Sequence, residues 1–168
     1  MLQGCIIESK FEEETLSFLK LKIQTLEEAG AAAAWIASFT ADEQGVCLGL
    51  SELFINAIEH GNLGLHFQEK QKLHEQHGWL AEVSRRLSLP ENQLKFVQIE
   101  VQNLPPHLEI VLEDSGTGFA WQEYDKQQLS QKSRNGRGIL LAKTFLDFEY
   151  EGNGNTVRCR ARPLRVPS

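Results

Sequence analysis

The sequence predicts a two-layer α/β sandwich of the α+β type, in which a mixed, mostly antiparallel sheet is covered on one face by helices. Three observations predict it. Apolar residues recur at helical spacing in the first third of the chain, residues 96–113 alternate between apolar and polar side chains, and a helix opened by glycines precedes a second alternating pair at residues 147–161. Helices, two strands, a helix and two more strands is an order typical of this architecture.

The N-terminal part is predicted to be helical. Apolar residues recur every three or four positions within residues 11–28, which predicts one helix, and residues 31–39 predict a second, shorter one. Thr40 and Glu43 have the spacing of a capping box, in which each side chain accepts a hydrogen bond from the other residue's backbone amide. They predict that a third helix begins here.

The third helix carries the most information about function. Its apolar positions fall on one face: Val46, Leu50, Leu53, Phe54, Ala57 and Ile58. On another arc lies a polar stripe: Gly49, Glu52, Asn56, Glu59 and His60. Because Leu48 and Ile55 add a second apolar strip, we expect this helix to be buried between layers. Its polar stripe then requires a partner, which indicates a site.

The rest of the chain is predicted to contain further helices and two β-hairpins. The predicted segments are helices at 65–89 and 138–145, and strands at 96–102, 107–113, 147–151 and 156–161. With no repeat and no low-complexity linker, residues 1–168 are expected to form a single domain.

Composition excludes several classes of function. A net charge of -6 argues against a nucleic-acid partner, because phosphate binding depends on dense lysine and arginine. The sequence shows neither a secretory leader nor a stretch long and apolar enough to span a membrane, so no membrane association is expected. The three cysteines follow no disulfide or metal spacing, which favours free thiols in a reducing cytoplasm.

A carboxylate and two glycines follow the second strand of the first hairpin. Asp114 is followed by Gly116 and Gly118, so a hydrogen-bond acceptor stands beside backbone that a ligand can approach closely. The amino group of a base such as adenine would suit that acceptor. Taken alone, the pattern is equally typical of a structural turn.

A second glycine motif opens the helix at 138–145. Gly136 and Gly138 leave the first backbone amides of the helix open, and the helix dipole favours an anion such as phosphate there. Lys132, Arg134 and Arg137 on the same loop could add charge to phosphate oxygens. A plain glycine hinge is the competing interpretation.

Glu52 and Asn56 lie one helical turn apart and therefore face the same point. Oxygen ligands such as the Asn56 amide suit Mg²⁺, and Glu52 could orient or deprotonate an attacking hydroxyl through water. A polar stripe that merely contacts solvent would show the same residues.

Taken together, these residues resemble the GHKL ATPase superfamily, whose members share the Bergerat fold. Residues 51–61 are similar to its N box, residues 114–118 to its first glycine box, and residues 136–138 to its second. Thr156 is similar to the threonine of its last strand. The similarity spans residues 43–161.

The resemblance implies a role for each matched residue. Asp114 would bind the adenine amino group with support from Thr156, Asn56 would hold Mg²⁺, and Glu52 would be the catalytic carboxylate. The remaining nucleotide contacts would come from His60, Gly116, Gly118, Gly136, Arg137 and Gly138. ATP and magnesium are therefore the implied cofactors.

Within the superfamily the sequence looks most like the anti-sigma-factor serine/threonine kinases of bacteria. Such proteins bind a sigma factor and phosphorylate a small antagonist protein, so these are the implied partners; a homodimer is a further implied assembly. Residues 63–95 depart from that pattern, because they are longer than the expected link and predict a helical insertion.

Two other functions remain open. One is a non-catalytic, ATP-gated protein-binding module in which nucleotide orders the lid at residues 123–134. The other is the catalytic domain of a histidine kinase. It is disfavoured because no helix carrying a phospho-accepting histidine precedes the N box, whose His60 is the first histidine of the sequence.

Overall fold

The computed structural model describes residues 2, 4–12, 15–121 and 137–164. Six strands form one open sheet in the order β1-β2-β3-β4-β6-β5, and every pairing among them is antiparallel. The strands are β1 Ile6–Glu12, β2 Thr15–Ile23, β3 Val97–Leu104, β4 His107–Glu113, β5 Asp147–Glu151 and β6 Thr156–Ala161. The predicted fold class is confirmed, as are both predicted hairpins.

Alternation of side chains gives the sheet one dry face. Ile99 pairs with Leu21 on one side and Leu112 on the other, so one row of apolar side chains crosses three strands. The next row continues through Ile110 and Cys159. All five side chains are almost fully buried, as expected for the sheet face that helices cover.

The helix predicted at residues 11–28 is wrong. Half of that segment is the strand Thr15–Ile23, whose Leu19, Leu21 and Ile23 are fully buried on the dry face. This alternation was missed because Leu19 and Ile23 also fit a helical spacing together with other apolar residues of the segment. Pairing of β2 with β3, far along the chain, decides the conformation because it buries this row.

Helices cover the dry face. They are α1 Leu26–Ala37, α2 Glu43–Asn56, α3 Phe67–Glu75, α4 Trp79–Leu87 and α5 Arg137–Phe145, with a π-helical turn at Ala57–Asn62 and a 3-10 turn at Pro90–Asn92. The helices predicted within residues 65–89 and 138–145 are confirmed. In the part of the chain that the structure describes, no helix is long and apolar enough to cross a membrane.

The capping box lies at α1 rather than at α2. Thr25 Oγ1 accepts from the Glu28 amide at 3.2 Å, while Glu28 Oε2 accepts from the Thr25 amide at 3.0 Å. The box predicted at Thr40 is wrong, because the Thr40 hydroxyl donates to the Ala37 carbonyl at 2.7 Å. Asp42 caps α2 instead.

The predicted apolar face, which α2 and the following turn share, packs on the sheet. All six apolar side chains of this face are buried. Gly49 lies against α5, where an added Cβ would come 2.7 Å from a methyl group of Leu146. The second apolar strip is only partly covered, since Leu48 is 50% exposed. The expectation that α2 is buried between layers is therefore wrong for that flank.

Candidate functional site

A cavity of about 1010 Å³ opens between α2, the end of β4, the start of α5 and the segment that carries α3 and α4. Three separate sequence motifs meet at its wall. The predicted positions that line it are Glu52, Asn56, His60, Asp114, Gly116, Gly118 and Gly138.

The second glycine motif touches the N-box helix. Glu52 and Asn56 line the cavity one turn apart on α2, and Gly138 stands in the first turn of α5. A Cβ on Gly138 would collide with Glu52 Oε2. The Glu52 carboxylate therefore lies directly beside the helix start that was predicted to receive phosphates.

Asp114 follows β4 and is held in a pocket made by two glycines. Its Oδ1 accepts a hydrogen bond from the Gly116 amide at 2.8 Å. A Cβ on Gly61 would overlap the Asp114 carboxylate, and a Cβ on Gly116 would come 2.5 Å from the Gly61 carbonyl oxygen. The N-box turn and the first glycine box thus pack so closely that both positions require glycine.

Burial changes the acid–base behaviour of Asp114. The pKa of its carboxyl is raised to about 6, chiefly by desolvation; the hydrogen bond from Gly116 lowers the pKa, and the nearby charge of Glu113 adds to the increase. Asp114 is therefore mostly ionised at neutral pH, which is the form that accepts hydrogen bonds from a ligand.

We expect the Asp114 carboxyl to titrate near pH 6 in the folded protein, against 3.8 for an ordinary aspartate. The folded state binds this proton more tightly than the unfolded state does. The contribution of Asp114 to the unfolding free energy therefore decreases as pH rises from 3.8 to about 6. Carboxyl ¹³C NMR would measure the titration, with the Asp114→Asn variant assigning the signal. A midpoint near 4 would contradict the expectation.

The first glycine box is fastened to the turn between β5 and β6. Gly118 adopts φ of +78°, and an added Cβ would collide with the Asn153 carbonyl. The Phe119 amide donates to that carbonyl at 2.9 Å, and Asn153 Nδ2 donates to the Thr117 carbonyl at 3.1 Å. Two distant loops thus form one wall, which fixes the backbone beside Asp114.

Thr156 is not brought to the cavity. It is the first residue of β6, and its neighbour Val157 lines the cavity instead, since successive residues of a strand face opposite sides. The link between this turn and Asp114 runs through Asn155, whose carbonyl accepts from the Asp114 amide at 3.0 Å and whose Nδ2 donates to the Asp114 carbonyl at 3.2 Å.

Part of the predicted phosphate loop lies outside the described residues. This applies to Gly136, Lys132 and Arg134, and to the predicted lid at residues 123–134. Arg137 is the first residue of α5, but its side chain also lies outside the description. Of this motif, Gly138 is therefore the residue whose surroundings the structure describes.

His60 lines the cavity as a neutral ring. Burial lowers the pKa of His60, and its Nδ1 bonds to the Leu65 carbonyl. A carbonyl only accepts, so Nδ1 carries the proton and Nε2 is left as an acceptor. At neutral pH His60 can therefore receive a hydrogen bond but adds no positive charge.

Asn62 is a site residue that the sequence did not predict. Its side chain is only 2% exposed, it lines the cavity, and its Oδ1 accepts from the Ser115 amide at 2.8 Å. Its Nδ2 is buried and finds no acceptor within the described residues. Lys95 donates to the Asn62 carbonyl at 3.0 Å. An unpartnered buried amide at a cavity wall is typical of a ligand site.

Glu59 was predicted to share the polar stripe of the site, but it turns to the helical insertion. Its fully buried carboxylate accepts from Trp79 Nε1 at 2.7 Å and pairs with Lys70 at 2.5 Å. The π-helical turn, which begins at Ala57, directs it away from Glu52. Glu59 therefore anchors the insertion to the N box.

The insertion supplies cations to the cavity wall: Lys70, Arg85, Arg86 and Lys95. Arg86 is more buried than Arg85. It donates to the Gly64 carbonyl at 2.9 Å and to Glu82 at 2.7 Å. Arg86 and Lys95 lie beside the end of the N-box turn, since they donate to the carbonyls of Gly64 and Asn62. Sequence reasoning had assigned no site role to this segment.

The residues present fit an adenine nucleotide. Asp114 offers a charged acceptor in a glycine-lined pocket, Asn62 offers a buried donor, and Gly138 opens the backbone of a helix start. The side-chain oxygen of Asn56 is of the kind that suits a magnesium ion held on phosphate oxygens. Fold and site together define a nucleotide-binding α+β domain.

The chain belongs to the histidine kinase-like ATPase domain family, whose model matches residues 22–161. This confirms the resemblance to GHKL ATPases, and the matched residues contain every predicted site position. Strand β1 and nearly all of β2 precede the match. The chain has no significant match among curated proteins.

Proposed function

We propose that this domain binds MgATP and transfers the γ-phosphoryl group to a serine or threonine of a small partner protein. One observation carries the proposal: the Glu52 carboxylate lies against Gly138, at the helix start where phosphates are expected. A carboxylate at this position can act on the attacking hydroxyl group, whereas it is not expected to contact the adenine base.

ATP would lie along the cavity with its two ends recognised separately. Asp114 accepts a hydrogen bond from the adenine amino group, and the backbone at Gly138 receives phosphate oxygens. The Asn56 side-chain oxygen would hold Mg²⁺ on those phosphates. When bound, Mg²⁺ would neutralise charge on the phosphate oxygens as it develops.

Glu52 then orients the partner's hydroxyl group and accepts its proton. A bond forms between the hydroxyl oxygen and the γ-phosphorus, the bond from that phosphorus to the β,γ-bridging oxygen breaks, and ADP leaves. Most of the rate enhancement in such a transfer comes from positioning and charge stabilisation, for which the glycine-lined walls are suited.

A partner-switching pathway is the biological setting that we propose. The support is the N-box sequence, which resembles that of anti-sigma-factor kinases, and the compact spacing of the two glycine boxes. A sigma factor and its small antagonist are the corresponding partners, and the serine or threonine would be on the antagonist. Proteins encoded beside this gene are the first candidates to test.

Replacing Glu52 with glutamine is expected to leave ATP affinity nearly unchanged and to slow phosphoryl transfer by about 10²- to 10⁴-fold, the usual effect of losing a general base. Calorimetry measures the first quantity, and transfer from γ-labelled ATP to the candidate partner measures the second. Glu75→Gln, on an exposed face of α3, is the matched control.

Different outcomes separate the alternatives. A wild-type chain that binds ATP but labels no candidate partner would favour the non-catalytic, ATP-gated binding module. Acid-labile label on a histidine would favour the histidine-kinase type. Absence of MgATP binding would contradict all three functions.

A further inference from the structure

Helix α3 of the insertion brings a lysine to the wall of the cavity. Lys70 lies on α3 and lines the cavity, and Phe67, one helical turn earlier, lines it as well. Both residues belong to the segment 63–95, which departs from the pattern of the resembled family, so none of the sequence motifs accounts for them. An ammonium group on this wall therefore needs an explanation of its own.

A buried carboxylate holds Lys70 in place. Lys70 Nζ donates to Glu59 Oε2 and lies 5.6 Å from the centroid of the Trp79 ring, while Trp79 Nε1 donates to Glu59 Oε1 at 2.7 Å. Glu59 is fully buried, whereas the Lys70 side chain is 21% exposed. An ammonium group has three N–H donors. Within the described part of the chain it donates to Glu59 alone, so two donors remain for a ligand.

The N box runs from the phosphate end of the cavity to its base end. Glu52 lies against the start of α5, and Gly61 packs against the Asp114 carboxylate. Glu59, which holds Lys70, follows Glu52 by about two helical turns and comes shortly before Gly61. The Lys70 ammonium group is therefore held between the two ends, where the ribose of a nucleotide and the phosphate next to it would lie.

The neighbouring histidine supports this position. Burial is the main reason why the pKa of His60 is lowered, and the positive charge of Lys70 adds to the decrease. The charge of Lys70 therefore acts on a ring that lines the cavity one turn beyond Asn56.

The other described cations of the cavity wall have different attachments. Arg86 donates from all three of its guanidinium nitrogens to carbonyl and carboxylate groups. Arg85 pairs through two nitrogens with a glutamate of α4, and Lys95 donates to the Asn62 carbonyl. Of these four cations, Lys70 is therefore the one bound to a residue of the N box.

We propose that Lys70 donates a hydrogen bond to the phosphate group next to the ribose of the bound nucleotide, with Glu59 as the residue that positions it. Phosphate oxygens are strong acceptors for an ammonium group. Because Lys70 lines the cavity and the Glu59 carboxylate is buried behind it, the pair presents donors to the phosphate instead of negative charge. This assignment rests on the nucleotide binding of the proposed function but not on phosphoryl transfer.

A series of ligands tests the assignment. Lys70→Met is expected to weaken the binding of ATP, ADP and AMP by about 5- to 20-fold each, because all three carry this phosphate. Adenosine lacks it, and its affinity is expected to stay within about twofold of the wild-type value. Calorimetry measures ATP and ADP, and NMR titration measures AMP and adenosine. Lys72→Met, at an exposed position of α3, is the matched control.

A second variant separates this contact from a structural role. Lys70→Met alone leaves the buried Glu59 carboxylate without its counter-charge, so circular dichroism checks that the variant is folded. In the double variant Glu59→Gln/Lys70→Met no buried charge remains, and the amide oxygen can still accept from Trp79. We expect the double variant to show the same loss for the three phosphorylated ligands.

Equal weakening of all four ligands would make Lys70 a structural residue, and an unchanged affinity for AMP would remove the contact from this phosphate. Either result would overturn the assignment while leaving the proposed function in place. A wild-type chain that binds none of the four ligands would overturn both together.

Discussion

Replacing Asp114 with asparagine is expected to weaken ATP binding by about 10- to 100-fold at pH 7, because a hydrogen bond to a charged acceptor is lost. The asparagine side chain also presents an amide donor where the adenine amino group must donate. Isothermal calorimetry with MgATP measures the affinity. Asp147→Asn, an exposed aspartate of β5, is the matched control and is expected to change little.

The same substitution is expected to leave the unfolding free energy at pH 7 unchanged or higher. Burial raises the pKa of Asp114, so its ionised form costs stability in the free protein, and asparagine removes that charge. Loss of binding together with retained stability is characteristic of a residue kept for its ligand. If Asp114→Asn bound ATP as wild type does, the assignment of Asp114 to the adenine amino group would be wrong.

The sequence was most informative where local pattern and tertiary structure agree. Alternation of Val97, Ile99 and Val101 predicts a strand with one buried face, and β3 has that face. Glycines at positions 116, 118 and 138 were predicted from motif spacing, and each proves to stand where a Cβ would collide. Short-range rules hold at these places because the long-range packing demands the same residues.

The N-terminal hairpin could not be predicted in the same way. Residues 11–28 satisfy a helical pattern and a strand pattern at once, and periodicity alone does not choose between them. The choice is made by β3, whose Val101 pairs with Leu19 from a position far along the chain. Such a partner is not visible within a local window.

The errors at Glu59 and Asn62 share a physical cause. Helical spacing runs through Glu52 and Asn56, but a π-helical turn begins at Ala57 and changes the direction of the side chains that follow. Asn62 therefore reaches the cavity, and Glu59 leaves it for the insertion. A π-helical turn has no reliable signal in a single sequence.

Thr156 illustrates a different difficulty. The motif identifies the strand, and β6 does begin at this residue, but the motif does not state which face the residue occupies. A shift of one position moves a side chain to the other face of a sheet. Val157 therefore lines the cavity where the sequence had placed Thr156.

Replacing Glu59 with alanine is expected to lower the unfolding free energy by about 2–4 kcal/mol, a larger loss than any other charged substitution considered for this domain. The carboxylate is fully buried, so its removal leaves a cavity and leaves Trp79 Nε1 without its acceptor. Lys70, with a side chain 21% exposed, can partly recover its hydration, which limits the loss.

Thermal unfolding followed by circular dichroism should show a melting temperature lower by about 5–15 °C for Glu59→Ala. Glu75→Ala removes an exposed glutamate from α3 and should shift it far less. Hydrogen exchange locates the damage: α3 and α4 should lose protection while the strands keep theirs, because Glu59 is the buried anchor between insertion and N box.

Because Lys70, Arg85 and Arg86 then no longer have fixed positions at the cavity wall, ATP affinity should fall together with that protection. Uniform loss of protection would instead make Glu59 part of the global core, and an insertion that stays protected would show that other contacts hold it.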